Sequence, residues 1–368
     1  MGGTRDEEAA SSSDEGKGMA MKLEELLDID NLTRRIAEGY VTERRSSGLR
    51  LWNYTAKAQY ERVWDQETRR CRGLVATDDG FVISRPFEKF FNVGELPELP
   101  MEPFDVYEKL DGSLIVIANG PDGLVVTSRG SFDSEHAIIA RRLWGERHFE
   151  CQIPVGQTWC FELIAPWNRI VVNYGLREEL VLLAAIDNPT GRDMPTPGTW
   201  NGTAVRRFDF TETAEVLAKL ASLGPDEEGY VIRFRESSLR VKAKGDEYVR
   251  LHRLVTGCTS RMIWELLSTG QPLEPLLDRV PDGLSSWVRQ TAGNLTQRFA
   301  EIRELARSRH DAICGLSTRK EQALSIAEFE HRSIVFRMLD AKPYDEVIWK
   351  ALYPSAERPF KAVIENNA

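Results

Sequence analysis

The chain lacks the apolar runs, targeting signals and cysteine patterns that define several classes of protein. No apolar segment reaches the ~18–20 residues that a membrane-spanning helix requires. The first twenty residues contain neither a basic region with an apolar core nor an Arg-rich, acid-poor stretch, so we expect no secretion signal and a cytoplasmic location. The five cysteines include no Cys-x-x-Cys pair. This argues against a zinc ribbon and a disulfide framework, and predicts reduced, mostly buried thiols.

The sequence also has no strongly basic arm. Its 368 residues carry a formal net charge of −9. Residues 1–20 hold five acids and two bases, and residues 261–368 hold fifteen of each. Because phosphate backbones are bound mainly by Lys and Arg, tight sequence-independent binding of nucleic acid is not expected. Any nucleic acid would have to be held by a local cluster of basic residues.

Composition and periodicity change along the chain. Residues 1–20, rich in Gly, Ser, Asp and Glu, are predicted to be a disordered acidic leader. Short β-type runs separated by turns follow, and after about Asp246 the apolar residues recur at helical spacing. The clearest predicted strands are Gly80–Arg85, Ser113–Ala118, Gly123–Ser128, Thr158–Ile164, Asn168–Val172, Leu180–Ile186, Gly229–Phe234 and Leu239–Lys244. The predicted helices are Glu247–Val255, Thr259–Leu267, Leu284–Arg309 and Thr318–Leu339.

Strands this close together, with little helix between them, indicate antiparallel pairing and an α+β fold. The sharp change to helical periodicity marks a domain boundary. We therefore predict an antiparallel-sheet domain over residues 21–250 and an all-helical C-terminal domain over residues 251–368.

The most informative segment is Tyr107–Ser113, with the sequence YEKLDGS. Asp-Gly-Ser is a turn signal, so Lys109 is expected at a strand end, facing whatever the turn encloses. A lysine beside a turn is common, but four further segments accompany it. They are Arg85–Asn92 (RPFEKFFN), Phe161–Val171 (FELIAPWNRIV), Glu227–Arg233 (EEGYVIR) and Val241–Lys244 (VKAK).

With Lys109-x-Asp-Gly, these segments follow the order and approximate spacing of the covalent nucleotidyltransferases, which include ATP-dependent polynucleotide ligases and capping guanylyltransferases. Arg72-Gly-Leu and the Arg85–Asn92 segment resemble the bacteriophage-type RNA ligase 1 family in particular, and the resemblance covers about residues 50–250. It implies a ligase adenylylation domain that uses ATP to join RNA ends with a 5′-phosphate and a 3′-hydroxyl. It also implies a lysyl-AMP and an adenylylated RNA intermediate, with repair of RNA such as tRNA as the role.

The residue types suit this chemistry. A lysine amine can attack the α-phosphate of ATP, but at its ordinary pKa of ~10.4 it is almost entirely protonated. Neighbouring cations disfavour the charged form and so supply free amine. Lys242 and Lys244 are two residues apart on one predicted strand, so they project from the same face and both can meet phosphates. Glu162 and Glu228 are the predicted carboxylates for Mg²⁺, with Mn²⁺ as an alternative.

The resemblance assigns further residues to the site. It places Glu162 near the ribose as well as the metal, and Lys109 as the nucleophile. Arg129 occupies a position where the family often carries lysine, so its role is less defined, although arginine also neutralises phosphate. The remaining residues predicted to bind nucleotide are Arg72, Lys89, Phe91, Asp111, Gly112 and Gly229.

Alternatives remain open at this point. A DNA ligase or capping-type nucleotidyltransferase usually carries an OB-fold after the Val-Lys-x-Lys segment, and the predicted helical tail disfavours both. A catalytically idle RNA-binding protein of the same fold need not keep the lysine and the acidic positions. Phe91 suits either a stacking role or a core position. The sequence does not determine the RNA substrate, a separate end-healing kinase or phosphatase, or the oligomeric state, and it predicts no membrane partner.

Overall fold

The computed structural model describes residues 21–277, 282–357 and Pro359. By its contacts the chain divides into two compact units. One comprises the chain up to Asn168 together with Val172–Gly245, and the other comprises Arg169–Val171 and the chain from Asp246 onward. The predicted acidic leader, residues 1–20, lies outside the described residues. Among the described residues, no helix is both long enough and apolar enough to cross a membrane.

The first unit combines three sheets with short helices, as the α+β prediction requires. Its helices are α1 (Leu23–Leu26), α2 (Ile29–Ala37), α3 (Ala56–Glu61), α4 (Gln66–Arg70), α5 (Glu135–Arg147) and α6 (Thr213–Leu220). Its strands are β1 (Val41–Ser46), β2 (Leu49–Tyr54), β3 (Arg72–Thr77), β4 (Val82–Ser84), β5 (Phe91–Asn92), β6 (Phe104–Glu108), β7 (Ser113–Gly120), β8 (Gly123–Ser128), β9 (Gln157–Ile164), β10 (Glu179–Asp187), β11 (Asp193–Met194), β12 (Arg207–Phe208), β13 (Gly229–Phe234) and β14 (Arg240–Lys244).

The three sheets have the strand orders β1-β2-β3-β4, β11-β10-β9-β7-β8 and β12-β6-β13-β14-β5. Pairing is antiparallel, as predicted, except that β14 and β5 run parallel, with Val241 opposite Phe91. The second sheet packs Ile117 and Phe161 against Trp144 of α5. The third sheet packs Ile232 against Val216 of α6. Strands β6, β13 and β14 thereby carry the Lys109, Gly229 and Lys244 segments side by side.

Two predicted elements are wrong in the structure. The segment Asn168–Val172 is not a strand, because Pro166–Asn168 forms a 3₁₀ turn. The amide of Asn168 donates its side-chain N–H to the carbonyl of Leu163 at 2.8 Å, and Pro166 has no N–H to give to a strand ladder. Local bonds therefore replace the ladder.

The predicted helix Thr318–Leu339 is divided into α11 (Arg319–Ser325) and α12 (Arg332–Leu339). Between them the buried Ile326 ends α11, and the N–H of Phe329 donates to the Ile326 carbonyl in a turn. Both side chains pack into the same apolar cluster. This turn separates the two helices, and the apolar residues of α12 pack into the same cluster.

The described elements of the second unit are all helices. Besides α11 and α12 they are α7 (Asp246–Gly257), α8 (Ser260–Ser268), α9 (Glu274–Leu277), α10 (Asp282–Ile313) and α13 (Asp345–Ala351). Helix α8 begins where the Thr259 hydroxyl accepts the N–H of Met262. The indole N–H of Trp264 donates to the carbonyl of Trp349 at 2.8 Å, which ties α8 to α13.

The cysteines agree with the prediction of reduced, mostly buried thiols. All five are free. Only Cys314 is exposed, and the others are buried in the two units. Burial raises the pKa of the Cys160 thiol to about 12, so this thiol is unreactive.

Candidate active site

Lys109 lies at the end of β6 and is held by a buried carboxylate. Its backbone N–H donates to the carbonyl of Gly229 at 2.9 Å. Its Nζ lies 2.8 Å from Oε2 of Glu228, and the Nζ of Lys244 lies 2.8 Å from Oε1 of the same carboxylate. The Glu228 side chain is only 3% exposed, whereas that of Lys109 is 21% exposed. One buried carboxylate therefore holds two ammonium groups, and the cluster keeps a positive charge.

Gly229 makes this arrangement possible. Its φ is +143°, and a Cβ at this position would lie 2.1 Å from the carbonyl oxygen of Ala243. In the register of β13 and β14, Gly229 lies opposite Lys244. Only glycine allows this close approach of the two strands, which brings Glu228 beside the Lys244 ammonium.

Lys242 is a half-buried cation with no described partner of opposite charge. It lies two residues before Lys244 on β14, on the same face. None of the carboxylates in the described ranges forms an ion pair with it. Burial is the largest cause that lowers the pKa of Lys242, followed by the positive charges of Lys89, Lys244, Lys109 and Arg72 in that order, and together they lower it to about 8. The structure therefore brings these five basic groups within electrostatic reach of one another.

Arg72 and Lys89 are the members of this basic group that lie outside β14 and the Lys109 turn. The Nη1 of Arg72 is inaccessible to solvent and has no hydrogen-bond partner among the described residues. The Nζ of Lys89 lies 4.9 Å from the ring centre of Trp64 and 4.8 Å from that of Phe91. Burial lowers the pKa of Lys89. An anion is the group that would satisfy the unpartnered Arg72 donor and the charge of Lys242 together.

Glu162 and Gly112 meet at the turn that follows Lys109. The backbone N–H of Gly112 donates to Oε1 of Glu162 at 3.0 Å. A Cβ on Gly112 would lie 2.5 Å from the carbonyl oxygen of Leu163, so this turn also requires glycine. Burial raises the pKa of Glu162 to about 7; the charge of Lys109 opposes this shift and that of Glu228 adds to it.

Asp111 fixes the loop beside this turn. Its buried carboxylate accepts the N–H of Val172 at 2.9 Å, and its own N–H donates to the hydroxyl of Tyr174 at 2.8 Å. The contacts place Asp111 in the support of the site, whereas the sequence assigned it to nucleotide binding. Support of the loop and binding of nucleotide would both use the Asp111 carboxylate.

The structure places Arg129 against an aromatic ring. Its guanidinium lies 5.1 Å from the ring centre of Tyr54, and Nη1 donates to the Tyr54 hydroxyl at 3.4 Å. Tyr54 meets Trp64 edge to face, and Trp64 meets Phe91 in the same way. Arg129 is thus connected through three aromatic rings to Lys89, and its described contacts do not include the Lys109 cluster.

Phe91 belongs to this aromatic group, whereas its neighbours belong to the core. Phe87 is buried and packs with Cys160, and the ring centres of Phe87 and Phe90 are 5.3 Å apart. The Phe91 ring is partly exposed. Phe87 and Phe90 therefore pack in the core, whereas the partly exposed Phe91 ring is available for stacking.

Sequence reasoning missed several groups that support the site. The Ser113 hydroxyl donates to Oδ1 of Asn168 at 3.0 Å, and Nε2 of His136 lies 2.9 Å from the same oxygen. Ser113 lies in the motif segment Tyr107–Ser113 and Asn168 in Phe161–Val171, so their positions in the motifs could have indicated them. Trp64 and His136 lie outside every motif, so nothing in the sequence marked them.

The carboxylates of this site suit a divalent metal that is also bound by substrate phosphates. Across the described residues, no group of three or more His, Cys, Asp and Glu side chains forms a ready-made metal site. Mg²⁺ is commonly held by one or two carboxylates together with substrate phosphates. Glu162 and Glu228 are close enough for the charge of one to raise the pKa of the other. This pair fits a metal that binds together with phosphates.

The partial burial of the Lys242 charge predicts a cost in stability. We expect Lys242→Met to increase the free energy of unfolding of the ligand-free protein at pH 7 by an amount on the order of 1–3 kcal/mol, and so to raise its melting temperature. The folded protein binds fewer protons than the unfolded chain between pH 8 and the ordinary pKa of 10.5. Its stability therefore increases as the pH rises through that window, and the advantage of the variant should disappear there.

Thermal unfolding at several pH values, in buffer free of phosphate and divalent ions, measures this effect. Lys219→Met, at an exposed position of α6, is the control and should change the melting temperature little at any pH. A Lys242→Met protein that is less stable than the parent at pH 7 would contradict the prediction.

Comparison with known proteins finds a family whose model matches the segment that carries this site. Residues 70–248 match the family model described as RNA ligase, of the T4 RNA ligase 1 type. This segment contains Arg72, Lys109, Glu162, Glu228 and Lys244. Through residues 70–248 the chain is similar to the T4 RNA ligase 1-type family of RNA ligases.

The curated relatives include two proteins named as RNA ligases and one whose name combines a polynucleotide kinase with an RNA ligase. A protein of Autographa californica nuclear polyhedrosis virus, named as a bifunctional polynucleotide kinase/RNA ligase, is 29% identical over 212 residues, which are 50% of this chain and 30% of the relative. A protein of Thermovibrio ammonificans named as an RNA ligase is 30% identical over 207 residues, which are 51% of this chain and 54% of the relative. The RNA ligase of Rhodothermus phage RM378 is 24% identical over 403 residues, covering 82% of this chain and 87% of the relative. The chain thus spans about a third and about half of the first two relatives.

Solved structures show weaker similarity. A mutant RNA ligase of Naegleria gruberi with ATP and Mn has a TM-score of 0.37 and 19% identity, covering 46% of this chain and 58% of that chain. An archaeal ATP-dependent RNA ligase has a TM-score of 0.43 and 17% identity, covering 75% of this chain and 79% of that chain. At these scores the overall similarity is low.

Proposed function

We propose that the protein is an ATP-dependent RNA ligase that joins RNA ends carrying a 5′-phosphate and a 3′-hydroxyl, with Lys109 as the nucleophile. The observation that carries the proposal is the contact of Lys109 with the buried Glu228, whose second oxygen holds Lys244. This cluster lies inside the segment that matches the RNA ligase family.

The proposed reaction has three transfers. The Lys109 amine attacks the α-phosphorus of ATP, a P–N bond forms, and the bond to pyrophosphate breaks. A 5′-phosphate oxygen of the RNA then attacks the same phosphorus, and the P–N bond breaks. Finally the 3′-hydroxyl oxygen attacks the RNA 5′-phosphorus, AMP leaves, and the hydroxyl proton passes to solvent.

The basic groups of the site suit the charges of these steps. Lys242 forms none of the described ion pairs, although the Glu95 carboxylate is within reach of its charge, and Arg72 has an unpartnered Nη1. Both can therefore bind phosphate oxygens without breaking a described bond. Fixed cations stabilise the charge on the transferring phosphoryl group and on pyrophosphate. Glu228 lies 2.8 Å from the Lys109 ammonium and orients it.

Mg²⁺, or Mn²⁺, is part of the proposal. Glu162 and Glu228 would hold it together with the phosphates, and the ion would supply positive charge to the phosphate oxygens when bound. Phe91 is proposed to stack on or beside the nucleotide base, since its ring is partly exposed in the aromatic group with Trp64.

The proposal extends to domains and biological role. Residues 21–250 would form the adenylyltransferase domain, and the helical residues 251–368 would contribute to selection of the RNA. RNA repair, including tRNA repair in the cytoplasm, is the proposed role. The name of the viral relative combines a polynucleotide kinase with an RNA ligase, which supports a substrate whose 5′-end carries phosphate.

Incubation of the full chain with α-labelled ATP and Mg²⁺ tests the proposal. We expect radioactive label to remain on the protein after denaturation, to be released as AMP by acid, and to be removed by added pyrophosphate. γ-Labelled ATP is the control and should leave no label on the protein. If no covalent AMP forms with either Mg²⁺ or Mn²⁺, the covalent mechanism is wrong.

A further inference from the structure

The first unit contains a basic cleft that lies outside the Lys109 cluster. Its volume is about 530 Å³. Six basic side chains and two acidic ones line it, in a chain whose net charge is −9. The basic residues are Arg69, Arg70, Arg85, Lys89, Arg192 and Arg240. Nucleic acid could bind to an acidic protein only where basic side chains are locally in excess, and this cleft is such a place.

Several of these charges have no anion of their own. Arg69 and Arg70 share the single carboxylate of Glu88. Nη1 of Arg85 donates to two neutral carbonyls, those of Asn188 and Pro189, at 2.7 and 2.9 Å. The positive charge of Arg85 is therefore fixed in place but not neutralised.

Further donors in the cleft are also unsatisfied. Nε of Arg69 is inaccessible to solvent and has no hydrogen-bond partner among the described residues. Arg192 is exposed and forms none of the described ion pairs. An anion in the cleft could bind Arg85 and Arg192 without removing a carboxylate from either, and it would supply the second anion that Arg69 and Arg70 lack while they share Glu88.

The cleft is continuous with the proposed reaction site. Lys89 lines the cleft, and its charge also lowers the pKa of Lys242. Arg240, Lys242 and Lys244 alternate along β14 and project from one face. This row of basic residues leads from the Lys109 cluster to the cleft, where the Arg240 guanidinium pairs with Asp193 and lies over the Phe87 ring at 4.4 Å.

We propose that this cleft binds backbone phosphates of the RNA strand next to the end that reacts at Lys109. The inference rests on the proposed function for the identity of the polymer, and on the cleft itself for its chemistry. Oxyanions of successive phosphates suit a cleft with several fixed guanidinium groups, because each guanidinium offers a planar pair of donors. Contacts of this type hold the strand without reading its sequence.

The test is a double variant, Arg69→Gln with Arg192→Gln. Neither side chain bonds to a backbone carbonyl among the described residues, and Glu88 keeps its bond to Arg70. The matched control is Arg44→Gln with Arg45→Gln, which removes the same charge from two exposed positions of β1 outside the cleft. The probes are 5′-adenylylated RNAs of ~20 and ~3 nucleotides, since only the longer strand can extend beyond the reacting end.

We expect the double variant to bind the longer RNA roughly tenfold more weakly, with a salt dependence shallower by about 0.7 for each lost contact. Binding of the short RNA, and labelling of Lys109 by ATP, should match the control. Equal affinity of variant and control for the longer RNA would overturn the proposal. So would a rise in the KM for ATP with unchanged RNA affinity, because the cleft would then hold nucleotide phosphates.

This design separates the inference from the proposed function. A parent protein that forms no lysyl-AMP, but whose binding of long RNA still depends on Arg69 and Arg192, would refute the ligase mechanism and support the cleft. Normal formation of lysyl-AMP, together with equal RNA affinity of the double variant and its control, would support the ligase mechanism and refute the cleft.

Discussion

Lys109→Ala should abolish transfer of AMP from ATP to the protein, with a loss of at least about 10³-fold in label. The reason is that the covalent step has one nucleophile, and Lys109 is the lysine that β6 presents beside Glu228 and Gly229. Nearby Lys244 is held by the other oxygen of the same carboxylate and lies on a different strand, so it is not positioned to replace Lys109. Retention of full labelling would refute the assignment.

Lys109→Arg distinguishes the role of Lys109 as nucleophile from its role as the ion-pair partner of Glu228. A guanidinium can keep an ion pair with Glu228 but remains protonated, so this variant should fold like the parent and still form no adduct. Both variants should retain some sealing of pre-adenylylated RNA without ATP, because that substrate already carries AMP. Inactivity of both folded variants on this substrate would show that Lys109 also acts in a later step.

Glu228→Ala should lower the rate of adenylylation by about 10²–10³-fold. Its removal leaves the ammonium groups of Lys109 and Lys244 without their shared anion, and it removes one of the two carboxylates proposed to hold the metal. Loss of one member of a buried charge cluster is also expected to destabilise the fold. Rates measured at saturating ATP and Mg²⁺ in single-turnover labelling report the catalytic effect.

Glu227→Ala is the matched control, because Glu227 is adjacent in sequence but exposed. Its Oε2 accepts only a surface N–H, from Gly224 at 3.1 Å, among the described hydrogen bonds. Glu228→Gln preserves the volume of the side chain and tests whether the charge is the property required. Equal rates for the Glu227 and Glu228 variants would show that Glu228 has no role in the chemistry.

Much of the fold was predictable because local rules agree with the tertiary structure there. The strands β7, β8, β9, β10, β13 and β14 follow apolar runs bounded by turn residues. Strand β1 was missed because its sequence, Val41–Ser46, is mostly polar and lies at a sheet edge. The predicted strand at Asn168 failed because Pro166–Asn168 forms a 3₁₀ turn, in which the Asn168 side chain donates to the Leu163 carbonyl.

Part of the site was likewise contained in the sequence. Lys109, Glu228 and Lys244 were predicted as one functional group, and the ion pairs bring them together. Gly112 and Gly229 were predicted as site residues, and the reason for glycine is a close backbone approach at each. Spacing along strands and turn chemistry are local properties, so they can be read from one segment at a time.

Only the tertiary structure decided which charges share a partner. Glu228 serves two lysines from different strands, Lys242 forms none of the described ion pairs, and Arg72 keeps an unpartnered donor. The basic cleft combines Arg69, Arg85 and Arg192, which the sequence separates widely. The sequence alone determined which residues belong to the predicted site, because motif spacing and turn chemistry are local properties. Coulomb interactions and desolvation depend on distances and burial across the chain, so the electrostatics of the site had to await the packed structure.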